Sequence, residues 1–290
     1  MTGVKKVEVI ANTASGSVGQ TAPAELEKIL SDCGLSANVR APEPHDLTQC
    51  LRAAVDAAPD LLIVLAGDGT ARAAAELCGP DGPLIAPLPG GTMNMLPHAI
   101  YGVRPWQEAL KLALDQGYER PIGGGEVEGH SFLVAAFLGS PALWAPAREA
   151  ARHGKPKLAF LRARRAVRRA FTGRLRYSLD GAQREKAEAL IFMCPLTSRA
   201  LDSDDSALEA VALDVRGAAD VLRVGLHALA GDWRDAREVE TTRCRAAHIW
   251  AAHGIPALLD GEPVSLKPLA EVRYIKKVAR ILAIPKDPKG

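Results

Sequence analysis

Leu61 to Leu65 is an unbroken apolar run that gives way at once to Ala66-Gly67-Asp68-Gly69-Thr70. A strand with no polar face must be covered on both sides, as strands are in a parallel sheet between two helical layers. The surrounding sequence repeats the theme. Val7 to Ile10 reads as a buried strand, followed by a polar turn from Asn12 to Gly19 and a helical pattern from Pro23 to Cys33. Ala37 to Arg40 is a weaker strand and Asp46 to Ala57 a helix. After the turn Ala66 to Thr70 come a helix over Ala71 to Cys78, a strand over Pro83 to Pro87, and a turn at Gly90 to Asn94 that opens a helix to about Ile100. Alternating strands and helices of this kind predict an α/β fold whose N-terminal domain is a doubly wound parallel sheet, over residues 1–120.

Beyond about Tyr118 the texture changes. Gly123-Gly124-Gly125 precedes strand-like runs at Ser131 to Leu138, Leu175 to Leu179 and Ala189 to Cys194, with a last strand over Tyr274 to Ile284. Residues 121–290 are therefore expected to form a second, β-rich, sandwich-like domain, and the C-terminal strand is open to returning to the first. A chain of 290 residues, 48% hydrophobic and 24% charged, has enough apolar surface for two such cores. The net charge of +2 points to no polyanionic partner by itself. Five scattered cysteines without a Cys-x-x-Cys pair suggest reduced thiols rather than zinc, and no apolar run reaches the roughly 18 residues of a membrane span. A cytoplasmic protein is the expectation, with any membrane contact peripheral.

In open α/β sheets ligands bind beyond the carboxyl ends of the strands. Three turns fall there: Asn12-Thr13-Ala14-Ser15-Gly16, Ala66 to Thr70, and Pro89 to Asn94. Glycine lets backbone N–H groups approach phosphate oxygens, and a helix N-terminus behind the turn adds partial positive charge. Asp68 is the informative residue, because a carboxylate in an anion site repels the ligand unless it works through a magnesium ion or takes a proton. The plainer alternative is that Asp68 and Thr70 only cap helices. One such turn leaves the two readings level, whereas three in succession favour a nucleotide site. Neither a P-loop nor a Gly-x-Gly-x-x-Gly fingerprint follows the first strand.

These turns resemble the diacylglycerol kinase catalytic-domain family, whose members include bacterial lipid kinases and the sphingosine and ceramide kinases. Asn12-Thr13-Ala14-Ser15-Gly16 is similar to its Asn-x-x-Ser-Gly turn, Ala66-Gly67-Asp68-Gly69-Thr70 to its Gly-Gly-Asp-Gly-Thr turn, and Gly91-Thr92-Met93-Asn94 to its Gly-Thr-x-Asn turn. The resemblance implies ATP as co-substrate, held by residues 12–16, by Ala66 to Thr70 with Ala71 and Arg72, and by Gly91, Thr92 and Asn94. It also lends catalytic meaning to Asp260-Gly261-Glu262. Glu262 is then the base that accepts a lipid hydroxyl proton, Asp260 orients it or holds metal, magnesium (Mg2+) offsets charge on the phosphates, and Asp68 is a catalytic candidate acting either through that ion or by taking a proton. From the residues alone, Asp260-Gly261 reads as a surface turn. The family's structural magnesium loop is similar to Asp204-Asp205-Ser206-Ala207-Leu208, which implies Asp205 with the carbonyls of Asp202 and Ala207 as ligands.

The departures are Ala66 in place of a glycine, Ala73 in place of a glutamate, and Met95 in place of the aspartate usual in bacterial members. They keep two alternatives in view beside a lipid kinase acting on a diacylglycerol-like or sphingoid-like alcohol. One is a NAD kinase-like enzyme, and the other is a weakened nucleotide- or lipid-binding regulator. Residues 148–176 carry eleven Lys or Arg against one acid, with apolar residues at helical spacing. Residues 157–176 read either as a helix lying on an anionic membrane or as a solvated helix packed on the β domain. Nucleic acid is not an expected partner, since no aromatic stacking platform interleaves the arginines.

Overall fold

The structure, a computed structural model, describes residues 4–144, 161, 174–198, 201, 206–214 and 239–285. The chain forms two compact units, Met1–Gly123 with Lys276–Gly290, and Gly124–Ile275.

In the first unit, strands β1 (Val7–Ala11), β2 (Ala37–Arg40), β3 (Leu61–Ala66) and β4 (Leu84–Pro89) run parallel in the order β2-β1-β3-β4. β1, β3 and β4 are buried throughout, as their lack of a polar face requires. The cover comes from α1 (Ala22–Asp32), α2 (Leu47–Asp56), α3 (Asp68–Cys78), α4 (Met95–Tyr101) and α5 (Trp106–Gln116). Each longer helix buries one stripe at helical spacing, for example Ala22, Leu26 and Leu30 in α1.

Two features of this unit differ from the sequence reading. Helix α3 begins at Asp68, so Asp68-Gly69-Thr70 is the first helical turn and not part of the preceding loop. Gly67 is extended (φ −80°, ψ 171°), and its carbonyl accepts from Thr70 N at 3.1 Å and Ala71 N at 3.2 Å, which closes the helix three residues early. Helix α5 was not among the expected elements, although Trp106, Ala109, Leu110, Ala113 and Leu114 form its buried stripe.

The second unit holds two antiparallel layers. One has the order β12-β11-β10-β7-β14-β15: Val239–Cys244, Leu208–Leu213, Ala189–Met193, Ala135–Gly139, Ile255–Leu259 and Glu262–Leu266. The other pairs the first residues of β16 (Leu269–Ala283) with β13 (Ala246–Trp250), β8 (Leu175–Leu179) and β9 (Glu185–Ala187), while β5 (Tyr118–Val127) pairs with β6 (His130–Phe132). Phe132, Tyr177, Leu190, Phe192, Ile249, Leu259 and Val272 share one core. This is the mixed α/β architecture with a separate antiparallel region that the alternation and the later strand-rich texture predict.

Strand β16 is longer than the expected Tyr274 to Ile284. It begins in the second unit, and its end enters the first, where Ile281 lies opposite Ile85 of β4. There the buried Tyr101 hydroxyl donates to Leu282 O at 2.8 Å, and burial pushes the phenol's pKa up. The run Ser131 to Leu138, expected as one strand, is divided at Leu133 and Val134 between β6 and β7. Apart from Leu161, which is exposed, and Arg174 to Arg176, of which Leu175 and Arg176 belong to β8, the basic segment lies outside the described residues.

The cysteines supply a test of this packing. Burial raises the thiols of Cys78 and Cys244 to about 12 and pushes that of Cys194 well above the ordinary thiol range, whereas Cys33 is exposed. Because the thiolate is the reactive form, iodoacetamide at neutral pH is expected to modify Cys33 and to reach those three only after denaturation. Intact mass spectrometry reads the difference, and equal labelling of all four in the native chain would contradict the buried placement.

Candidate active site

The first unit's strand order reverses direction at β1. From β1 the chain passes outward to β2, then crosses back to β3 and proceeds to β4. Adjacent connections that leave in opposite directions open a crevice at the strands' carboxyl ends. The turns after β1, β3 and β4 all lie there, directly behind Ala11, Ala66 and Pro89.

These turns are meshed through their backbones. Asn12 N donates to Leu65 O at 2.9 Å, Gly90 N to Ala66 O at 3.0 Å, and Ser17 N to Gly90 O at 3.2 Å. Asn12 Oδ1 accepts from Ala14 N at 3.2 Å, folding the first turn back on itself. In the third turn Asn94 is left-handed (φ 51°) and buried; its Oδ1 accepts from Gly91 N at 2.7 Å and its Nδ2 donates to Gly91 O at 2.9 Å.

The glycines are required by this closeness. A Cβ on Gly91 lies 2.6 Å from Gly67 Cα, and one on Gly90 lies 2.8 Å from Ala66 N. A Cβ on Gly16 meets only the Thr92 hydroxyl, at 3.3 Å, and that side chain can turn away. Gly91→Ala is therefore expected to destabilise the first unit by about 1–3 kcal/mol through forced backbone movement, against about 0.5 kcal/mol or less for Gly16→Ala. Urea midpoints compare them, and equal midpoints would mean the turns are not held this tightly.

Asp68 stands at the centre of the mesh. Its two carboxylate oxygens accept from Met95 N at 3.1 Å and Leu96 N at 3.0 Å, capping α4 from a different element while Asp68 itself occupies the first turn of α3. The first α3 amide with a helical acceptor is that of Thr70, so the N–H groups of Asp68 and Gly69 remain at the helix's open end. Ser15, Gly67, Gly69, Thr70 and Arg72 are half-buried around it, and Thr92 is exposed. Arg72 Nη1 lies 4.0 Å from Glu76 Oε1. Such a floor of amides behind a helix N-terminus is suited to an anion of phosphate type. Of the residues proposed from sequence for the nucleotide, 12–16, Ala66 to Arg72, and Gly91, Thr92 and Asn94 all lie on these meshed turns or the α3 turns behind them, with Ala66 and Ala71 buried. Ser17 and Gly90, which join the first turn to the third, lie outside the residues assigned to the nucleotide from sequence; Gly90 carries a signal in standing directly behind a strand, and Ser17 carries none.

Asp260 and Glu262 belong to the second unit. Asp260-Gly261 has positive φ at both positions (49° and 88°), forming a two-residue type I′ hairpin turn between β14 and β15. Asp260 is more than a turn former. Its Oδ2 accepts from Leu133 N at 2.8 Å, and its Oδ1 from Val134 N at 2.9 Å and Ala135 N at 3.0 Å. The carboxylate thus fixes the break that divides β6 from β7. Glu262, two residues on, is exposed at the start of β15, opposite Leu259.

The expected metal loop is only partly described. Asp202 and Asp205 lie outside the described residues, and Ala207 is buried ahead of β11. Among the described residues no group of three or more His, Cys, Asp or Glu is placed to hold a metal. The second unit also contains a cavity of about 220 Å³ lined by Leu179, Leu190, Ala210 and Ala212 with Tyr177, Glu185 and Glu240. The Tyr177 hydroxyl donates to Glu185 Oε2 at 2.6 Å, and burial together with that bond holds the phenol's pKa up. Its carboxylates make this cavity unsuited to phosphate.

Comparison with known proteins agrees with the geometry. Residues 6–126 match the family model described as the diacylglycerol kinase catalytic domain. No curated protein matches the chain. Among solved structures it is similar to a provisionally assigned diacylglycerol kinase from Bacillus anthracis str. Sterne, at a TM-score of 0.75 and 20% identity, covering 98% of this chain and 99% of that one. A diacylglycerol kinase from the same organism gives 0.68 at 17% identity, with the same coverage. An NAD kinase from Archaeoglobus fulgidus in complex with ATP gives 0.54 at 12% identity, covering 97% of this chain and 94% of that one.

Proposed function

We propose, on the premise that residues 6–126 belong to the diacylglycerol kinase catalytic-domain family, that this chain transfers the γ-phosphate of ATP to the hydroxyl of a diacylglycerol-like or sphingoid-like lipid. The observation that carries the reading is the amide-lined floor at the sheet's switch point with Asp68 built into it. Capping α4 already gives the carboxylate a structural use; a site that must balance charge on transferring phosphates gives it a second one.

In this reading the turns Asn12–Gly16, Ala66–Thr70 and Gly91–Asn94 bind the nucleotide. Magnesium would arrive on the ATP phosphates and retain several of its waters, as that reluctantly dehydrated ion does. Bound there, magnesium would offset phosphate charge. Asp205, with the backbone carbonyls of Asp202 and Ala207, would hold a separate structural ion. Glu262, exposed at the hairpin, takes the lipid hydroxyl proton as that oxygen bonds to the γ-phosphorus and the bond to the β-phosphate oxygen breaks, releasing ADP. Asp260 acts on this step by holding the hairpin on which Glu262 stands. A basic contact of residues 157–176 with anionic membrane is consistent with a lipid substrate and is kept as part of the reading.

The test is phosphate transfer from labelled ATP with magnesium to mixed vesicles of diacylglycerol, monoacylglycerol, ceramide and sphingosine, and separately to NAD. The expected result is a labelled lipid whose formation falls by about 10²-fold or more in Glu262→Gln. Labelled NADP would move the chain to the NAD kinase reading, and ATP binding without any product would leave a nucleotide-binding regulator.

A further inference from the structure

The outer face of the second unit's β16-β13-β8-β9 layer carries a row of side chains in direct cross-strand register. Leu269 lies opposite Trp250, Trp250 opposite Arg176, and Arg176 opposite Lys186. The alternate residues Ala247, Ile249, Tyr177 and Val272 point into the core, so this row points away from it. Leu269 is 57% exposed, Arg176 and Lys186 are exposed, and Trp250 is half-buried. Arg184, also exposed, lies over the Trp250 ring at 4.6 Å from its centroid, and His248 stacks beside that ring at 6.0 Å. In the neighbouring rows the acid, Glu271, is neutralised by Arg273 at 2.6 Å. The row is therefore a leucine and an indole flanked by Arg176, Arg184 and Lys186; Glu185, between the last two in sequence, shares the register of the core-facing Tyr177 and accepts its hydroxyl on the opposite face.

We propose that this sheet face docks the protein on an anionic lipid surface, with Leu269 and Trp250 entering the headgroup region and Arg176, Arg184 and Lys186 holding the phosphates. Amphipathic indole rings favour that interface, an exposed leucine gains by leaving water, and cations are drawn to the negative surface potential. A second copy of the chain is a poor occupant, because a two-fold contact through this face would oppose like charges. Nucleic acid fits less well than lipid. His248 and Arg184 already occupy the indole's flanks, and Leu269 has no π-face on which a base could stack. The inference deepens the lipid-kinase reading by supplying a surface to meet the substrate's bilayer, and it rests on that reading only for its purpose.

Flotation of the full chain with vesicles of phosphatidylcholine alone, and of phosphatidylcholine mixed with phosphatidylglycerol, tests it without any turnover. The chain is expected to float with the anionic vesicles, to be released by high salt, and to bind neutral vesicles weakly. Arg176→Glu combined with Lys186→Glu should weaken partitioning by roughly 25-fold or more, since each basic residue near such a surface is worth about a factor of five. Leu269→Ser should weaken it by roughly threefold at constant charge. Unchanged flotation of the double variant, equal binding to neutral vesicles, or face-dependent binding to duplex DNA alone would overturn the assignment. A chain that phosphorylates no lipid yet shows this face-dependent flotation removes the proposed function and leaves the docking face. A chain that phosphorylates dispersed short-chain diacylglycerol while every variant floats like the parent removes the docking face alone.

Discussion

Asp260→Ala is expected to lower the unfolding free energy by about 3–5 kcal/mol, read as a fall in the urea midpoint. Three backbone amides, those of Leu133, Val134 and Ala135, lose a charged acceptor, and hydrogen bonds to charged groups contribute about 1.5–3 kcal/mol each without adding fully. Alanine is also disfavoured at the left-handed φ of 49° that aspartate tolerates. Asp260→Asn keeps one acceptor oxygen and the backbone preference, so it should recover about half of the loss or more. Glu262→Ala, at an exposed strand end, should stay within about 0.5 kcal/mol of the parent. The contrast bears on any activity measurement, because a dead Asp260 variant reports first on the hairpin and the β6–β7 break. A midpoint for Asp260→Ala equal to that of Glu262→Ala would mean that the three amides find other partners.

Asp68→Ala is expected to reduce turnover by about 10²–10³-fold, the range for removing a group aimed at transition-state charge. It should also cost about 1–2 kcal/mol of stability, because Met95 and Leu96 amides lose their cap. The capping alternative is thus met for Asp68, although the helix it caps is α4 and not its own α3. Asp68→Asn separates the two roles. Its remaining carbonyl oxygen still accepts one amide, so thermal stability should largely return, whereas the negative charge does not. Turnover restored to near the parent level in Asp68→Asn would reduce Asp68 to a helix cap; turnover still lost in a stable protein would place the carboxylate charge in the reaction.

The parts legible in the sequence are those whose physics is local. Leu61 to Leu65 has no polar face and could only be a covered strand, and Gly90 and Gly91 advertise a backbone that side chains would obstruct. Helix α5 is equally local, and its stripe from Trp106 to Leu114 with Pro105 and Gly117 at its ends is a helical signal within the sequence between Ile100 and Tyr118. What could not be read depends on partners far along the chain. The division of Ser131 to Leu138 is fixed by Asp260, more than a hundred positions away, and nothing in that run itself contains a breaker. The early start of α3 follows from the Gly67 carbonyl turning to meet Thr70 and Ala71, a choice between loop and helix that Asp68-Gly69-Thr70 leaves open. The cross-strand row from Leu269 to Lys186 is assembled from four segments whose register no periodicity announces.

The return of β16 to the first unit has a consequence for synthesis on the ribosome. β1 to β4 and their helices are made first, yet the strand that carries Ile281 beside Ile85, and the carbonyl that receives the Tyr101 hydroxyl, emerge only after the whole second unit. A nascent chain therefore presents one flank of β4 uncovered while more than 150 further residues are translated. The unit begun earliest is completed last, so during that interval its open strand edge is the place where a chaperone, or a neighbouring nascent chain, would find the protein vulnerable.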